Sequence, residues 1–86
     1  MKFKCKQNSG DERVVLEINI NNGELTHIVK DNFYFKMFYT EADRGNKILK
    51  LIREYITTNE TYTQQDIVKI IESNNEGSFG WDVKVE

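Results

Sequence analysis

The residues of this chain that could perform nucleophilic chemistry are its single cysteine, Cys5, and its single histidine, His27. A cysteine nucleophile needs a histidine base within hydrogen-bond reach at an accessible position. Cys5 instead lies in an alternating segment, 2–6, on the same side as Phe3, which is typical of a small buried hydrophobe. A metal site normally needs three or four ligands, more than this pair supplies. We therefore predict a protein that is not an enzyme and has no catalytic residue, metal or cofactor.

Acidic side chains dominate the C-terminal part of the chain, although the formal net charge of the whole chain is only −2. Between Glu54 and Glu86 there are seven acidic residues and two lysines. An acidic surface repels nucleic-acid phosphates and suits a basic protein partner, whereas the simpler alternative is a solvated face that aids solubility. The acids that we expect to meet such a partner are Glu60, Asp66, Glu72, Glu76 and Asp82.

Four basic residues recur at every third position of one segment: Arg44, Lys47, Lys50 and Arg53. On a helix this spacing spreads the cations across the outer side, where they could contact phosphates. The alternative is a solvated helix face whose cations pair with neighbouring acids, because no aromatic stacking platform accompanies them. A nucleic-acid-binding transcriptional regulator is therefore the alternative function.

The clearest predicted secondary structure is a β-hairpin around Asn22-Gly23. The segment 14–20 alternates apolar and polar residues, and Asn-Gly is the strongest short-range signal for a two-residue type I′ turn. With that loop, paired positions sum to 45, so Ile18 faces His27 and His27 points to the core side. Alternation also predicts a strand over 2–6 and a final strand over 79–86, with Trp81 in the core.

The segment 33–39 is rich in aromatic residues and predicts one more strand of the same meander. In that strand, Phe33, Phe35, Met37 and Tyr39 would face the helices. The opposite face of the sheet would then expose a contiguous apolar patch, which suits a protein interface or a homodimer. A covering loop, or a register shift of one residue, would remove the patch. Its predicted members are Tyr34, Phe38, Ile28 and Val15.

Two amphipathic helices are predicted in the second half of the chain. Thr40 is the expected N-cap of the first, which ends at 57–59. Thr63 with Asp66 three residues later predicts a capping box at the start of the second, which ends within 74–77. The order ββββααβ predicts a single α+β domain over residues 1–86, an antiparallel β-meander of about five strands with two amphipathic helices packed on one face.

Size and composition narrow the expected function. A chain of 86 residues has a thin core and little room for a deep substrate pocket. No apolar run is long enough to cross a membrane, the first residues lack a signal peptide's apolar region, and the lone cysteine suits a cytoplasmic protein. Abundant lysine, asparagine and isoleucine without proline favour an AT-rich genome, such as that of a low-GC bacterium or its phage.

We therefore expect a small non-enzymatic protein-binding module. A specific version of this hypothesis is a phage or mobile-element inhibitor of a host protein such as a nuclease. Small anti-CRISPR and other anti-host proteins are similar in size and charge. This similarity is a general analogy, because no sequence motif of such a family is present.

Overall fold

The structure is a computed structural model that describes residues 1–8, 13–36, 43–75 and 80–86. In these ranges the element order is β1 (Lys2–Gln7), β2 (Val14–Asn21), β3 (Glu24–Val29), α1 (Asn32–Lys36), α2 (Arg44–Thr58), α3 (Gln64–Ser73) and β4 (Trp81–Val85). The strands form one antiparallel sheet in the order β3-β2-β1-β4. The predicted α+β class is confirmed, and the last strand returns to pair with β1. Across the described ranges the sheet has four strands, and the helices number three.

The β2–β3 hairpin has the predicted register. Ile18 is opposite His27, and Ile20 is opposite Leu25. The two turn residues, Asn22 and Gly23, have φ values of 54° and 75°. Both are positive, as a type I′ turn requires, and this turn matches the right-handed twist of the strands that it joins. The turn chemistry therefore sets which residues of β2 and β3 share a face.

A β-bulge in β2 overturns the expectation that Val15 is exposed. Cys5 pairs with Leu16 but the next residue, Lys6, pairs with Val14, so Val15 is the extra residue. A bulge interrupts the two-residue alternation of side chains. Val15 and Leu16 are consecutive, yet both are completely buried in the core. Simple alternation assigned Val15 to the outer face and was wrong for this reason.

The aromatic segment begins as a helix, not as the predicted strand. The Asp31 carboxylate accepts the Tyr34 backbone N–H at 3.2 Å, and the Asp31 carbonyl accepts the Phe35 N–H at 3.0 Å. Asp31 thus acts as the N-cap of α1. Phe35 is buried, as expected. Phe33, which was also predicted to face the helices, is exposed. The remainder of the predicted strand, 37–39, lies outside the described residues.

Helices α2 and α3 are amphipathic, as predicted, and their caps explain where they start. Asp43, not Thr40, is the N-cap of α2, because its carboxylate accepts the Asn46 backbone N–H at 3.2 Å. At α3 the predicted capping box of Thr63 and Asp66 is present.

The buried stripes of α2 and α3 pack with inward-facing strand residues in one hydrophobic core. Trp81 belongs to this core, as predicted. Among the helices that the structure describes, none is long and apolar enough to cross a membrane.

Candidate protein-binding surfaces

Cys5 and His27 do not form a catalytic pair in this fold. Cys5 lies on β1 and His27 on β3, with β2 between them, so the sheet spacing alone separates their backbones by about 10 Å. Burial raises the pKa of the Cys5 thiol to about 12, which disfavours the nucleophilic thiolate. His27 is on the helix side of the sheet, as predicted, but it is exposed at the sheet edge. Partial desolvation and then the positive charge of Arg53 lower its pKa.

The described ranges contain no cluster of side chains that could bind a metal ion. No three residues among histidine, cysteine, aspartate and glutamate are close enough there to hold a metal ion together.

The predicted apolar patch is not assembled on the outer sheet face. Val15 is 0% exposed, and Tyr34 is half-buried on α1. Ile28 is 56% exposed on β3, as the register predicts. Phe38 lies outside the described residues. The four residues therefore do not share one strand-borne surface, because α1 replaces the strand on which the patch depended.

The outer sheet face is polar, apart from Ile28 and the half-buried Val14. Lys4 is opposite Glu17, and Lys6 is opposite Asp82. The Lys4 Nζ also lies 3.5 Å from a Glu86 carboxylate oxygen. Such exposed pairs contribute little stability, but charged side chains of both signs make the face well hydrated. This face resembles neither an apolar interface nor a uniformly basic one.

An aromatic surface that the sequence analysis missed lies at the start of α1, and we call it the aromatic corner: Arg13, Asp31, Phe33 and Tyr34. The Phe33 and Tyr34 rings meet edge to face, with centroids 5.1 Å apart. The Arg13 guanidinium carbon is 5.8 Å from the Tyr34 ring centroid and its Nη1 lies 2.9 Å from Asp31 Oδ2. Phe33 is 48% exposed.

Asp31 fixes both sides of the aromatic corner. Burial by itself would raise the pKa of Asp31, but hydrogen bonds from Arg13 and the Tyr34 N–H hold it below its ordinary value. The carboxylate is therefore charged at neutral pH, caps α1 and anchors Arg13. The sequence signal for this arrangement was an aspartate two residues before an aromatic segment, which is equally typical of a helix N-cap and of a turn.

Arg44 is a structural residue and not part of an exposed basic surface. It is only 8% exposed. Its Nη1 donates to Asn75 Oδ1 at 3.0 Å, and its Nη2 donates to the Tyr34 carbonyl. The guanidinium carbon lies 4.6 Å from the Trp81 ring centroid. This burial contradicts the prediction that Arg44 lies on the solvent side of α2.

Trp81 completes the same buried cluster, which we call the Arg44 cluster: Tyr34, Arg44, Asn75 and Trp81. The Trp81 indole N–H donates to the Tyr34 carbonyl at 3.2 Å, and its backbone N–H donates to Asn75 Oδ1 at 2.9 Å. The cluster joins α1, the start of α2, the residue after the α3 cap, and β4. It supports the aromatic corner from inside the molecule.

The other three predicted cations remain on the solvent side of α2. Lys47, Lys50 and Arg53 are exposed. Arg53 Nη2 lies 3.4 Å from His27 Nδ1 at the neighbouring sheet edge. The basic surface is therefore smaller than the sequence spacing predicted.

The predicted acids are divided among different places. Glu72 and Asp82 line one open groove of about 830 Å³ between α3 and β4, whose floor includes Asn75 and Trp81. Glu60 lies on another groove, near the β2–β3 turn. Asp66 is engaged in the α3 cap, where its carboxylate accepts the Thr63 N–H at 2.9 Å. Glu76 lies outside the described residues.

The fold and these surfaces define a small α+β protein with a four-stranded antiparallel sheet and helices over one side. No family model matches the sequence, and neither a curated protein nor a solved structure matches it.

Proposed function

We propose that this chain is a small non-enzymatic protein-binding module and that the aromatic corner is its main contact surface. The observation that carries the proposal is the exposed Phe33 ring, held edge-on against a Tyr34 that is itself fixed by Arg13. Phenylalanine, tyrosine and arginine are enriched at protein interfaces, and a few such residues supply most of the binding energy. A ring that is already held in place also loses less side-chain freedom on binding.

The expected partner is a protein with a basic surface. Glu72 and Asp82 share the α3–β4 groove with Lys69, and all three side chains are exposed, so the two carboxylates leave the groove with an excess of negative charge. Electrostatic complementarity of this kind mainly speeds association, while the aromatic anchor mainly slows dissociation. Cytoplasmic location is part of this proposal, and the reduced thiol of a buried Cys5 is consistent with it.

Affinity capture with matched variants tests the aromatic corner. The bait is the whole chain on beads, and the lysate is treated with nuclease so that nucleic acid does not bridge. We expect a specific protein to be retained by the wild type and by Lys36→Ser, which changes an exposed neighbour on α1, and to be lost with Phe33→Ser. Equal recovery by all three baits would contradict a role for Phe33.

Association kinetics with the captured protein then test whether Glu72 and Asp82 attract a basic partner. Glu72→Lys with Asp82→Lys should lower the association rate about tenfold at low salt and much less at high salt. An association rate that does not respond to the double substitution would contradict a basic partner.

A narrower proposal is that the partner is a host nuclease and that the chain is a phage or mobile-element inhibitor. Small size and exposed acids support it. Adding the chain to the nuclease assay should then reduce cleavage, and the Glu72→Lys plus Asp82→Lys variant should do so less well. Full cleavage in the presence of a bound wild-type chain would contradict inhibition.

Nucleic-acid binding through α2 is the alternative proposal, supported by the exposed Lys47, Lys50 and Arg53 on one helix. It predicts binding to duplex DNA or RNA that weakens steeply with salt. Fluorescence anisotropy of a labelled duplex checks this, with Lys47→Glu plus Lys50→Glu as the variant expected to lose binding. Unchanged binding by that variant would exclude α2 as the site.

A further inference from the structure

The two edges of the sheet are protected to different degrees. On β4 the outward-facing positions Asp82 and Lys84 are charged and exposed. Charges on an edge strand discourage pairing with another strand. β3 has one charged residue, Glu24, at its start. The residues from Leu25 to Val29 include no carboxylate, lysine, arginine or proline, and Ile28 is 56% exposed. Among the described residues, β3 has a strand partner only on its β2 side.

The hairpin register shows which backbone groups β3 turns toward its open edge. In a two-residue hairpin, the residues that flank the turn, here Asn21 and Glu24, form a hydrogen-bonded pair, and every second residue after them also bonds inward. Lys30 fits this pattern, because its N–H donates to the Val15 carbonyl at 2.8 Å. The alternate residues Leu25, His27 and Val29 therefore direct their N–H and C=O groups to the edge.

The sequence of this edge is complementary to itself in the antiparallel direction. If two copies of β3 pair about a two-fold axis at His27, Glu24 of each copy lies opposite Lys30 of the other. Leu25 then lies opposite Val29, and Thr26 lies opposite Ile28. Each residue with outward N–H and C=O groups meets another of the same kind, as the hydrogen-bonded positions of an antiparallel ladder require.

We propose that β3 is a self-association edge, at which a second copy of this chain pairs antiparallel with register centred on His27 to form a continuous eight-stranded sheet. The Glu24–Lys30 pairs at the two ends supply charge complementarity and select this register over a shift by two residues. The pairing covers Ile28 on the outer face, and on the helix side it brings Leu25 of each copy opposite Val29 of the other. An interface of one strand is small, so the dimer is weak and concentration-dependent.

A charge exchange at the two ends of β3 tests the proposal. Glu24 and Lys30 are both exposed, so their substitution leaves the protomer core intact. Glu24→Lys and Lys30→Glu each replace two attractive pairs by two repulsive ones, and each should raise the dimer dissociation constant about tenfold. The double variant restores both pairs and should return the constant to the wild-type range. Lys84→Glu on β4 is the matched control and should have no effect.

Sedimentation velocity of the whole chain, from about 10 µM to about 1 mM at low salt, is the measurement. The mass should rise toward that of two chains for the wild type, the double variant and the control. His27→Pro removes an N–H that faces the edge and keeps the β2 ladder, so it should remain folded by circular dichroism and stay monomeric.

Two results would overturn the proposal. A wild-type chain that is monomeric throughout this concentration range has no such edge pairing. A dimer that is equally strong in Glu24→Lys, Lys30→Glu and the double variant is formed by another surface.

Discussion

At the scale of single residues, Arg44 shows how the same side chain can serve binding or architecture according to where it lies. Its guanidinium donates to Asn75 and to the Tyr34 carbonyl within a buried cluster. Arg44→Met should lower the free energy of unfolding by about 3 kcal/mol, because two buried acceptors lose a charged donor. Lys47→Met, three residues along and exposed, should change it by less than about 0.5 kcal/mol. Urea denaturation of the two variants checks the contrast, and equal effects would refute the structural role of Arg44.

Gly45 is a second residue whose role depends on its neighbours. It is buried on α2, and a Cβ added there would clash with atoms on one edge of the Phe35 ring. Alanine normally favours a helix over glycine by about 1 kcal/mol. Here Gly45→Ala should instead destabilise the protein by about 1–3 kcal/mol through overpacking. The same substitution in a Phe35→Leu background should cost less or become stabilising, which a double-mutant cycle of unfolding free energies measures. An identical cost in both backgrounds would show that the Phe35 ring is not the cause.

The burial of Arg44 and Val15 could not be obtained from sequence periodicity. Arg44 is the first residue of α2 and shares its three-residue spacing with exposed cations, so the pattern alone makes it equivalent to them. Its burial depends on α1 and β4, which approach from distant parts of the chain. Val15 depends on a bulge that is defined only when β2 pairs with β1. Tertiary contacts decide both positions, and local spacing does not record them.

At the scale of elements, the hairpin and the α3 cap were predictable because a few adjacent residues determine each. Asn22-Gly23 supplies the two positive φ values that set the β2–β3 register. Thr63 and Asp66 satisfy two otherwise free N–H groups at the start of α3. The segment that begins α1 was mispredicted, because aromatic residues favour strands while Asp31 imposes a helix cap. The aromatic corner, which depends on α1, was missed together with it.

The α3 cap predicts a measurable pH dependence. The Thr63 backbone N–H, first among its hydrogen-bond donors, holds the pKa of Asp66 below its ordinary value. A carboxyl with a lowered pKa in the folded state contributes stability above its unfolded pKa, and this contribution disappears as pH falls through the folded pKa. The Tm advantage of the wild type over Asp66→Asn should therefore be greatest near neutral pH and shrink on acidification below about pH 4. Calorimetry across this range checks the trend.

Glu72→Gln is the control for the acid titration, because Glu72 is exposed on the last turn of α3 and has no place in the cap. Its Tm difference from the wild type should not converge in the same way. An Asp66→Asn difference that stays constant from neutral to acid pH would show that the Asp66 charge is not what stabilises the start of α3.

At the scale of the whole molecule, the Arg44 cluster connects the helices to a sheet whose strands come from both ends of the sequence. β1 and β4 pair across almost the full length of the chain, and Trp81 begins β4. The Trp81 ring stacks on Phe35 of α1 with centroids 6.3 Å apart and lies beneath Arg44 of α2. Trp81 is the only tryptophan, so the intrinsic tryptophan fluorescence reports whether α1, α2 and β4 are packed together.

This arrangement predicts that unfolding is a single cooperative transition. Trp81 fluorescence and far-ultraviolet circular dichroism should give the same urea midpoint, because releasing β4 also removes the Trp81 indole N–H that donates to α1 and the Trp81 ring that contacts α1 and α2. Asn75→Ala removes the acceptor shared by Arg44 and Trp81, and it should lower both midpoints together. If fluorescence changed at lower urea than circular dichroism, β4 would detach while the hairpin and long helices persisted. The Arg44 cluster would then stabilise only the docking of β4, and the β2–β3 hairpin with α2 and α3 would be the stable unit of the fold.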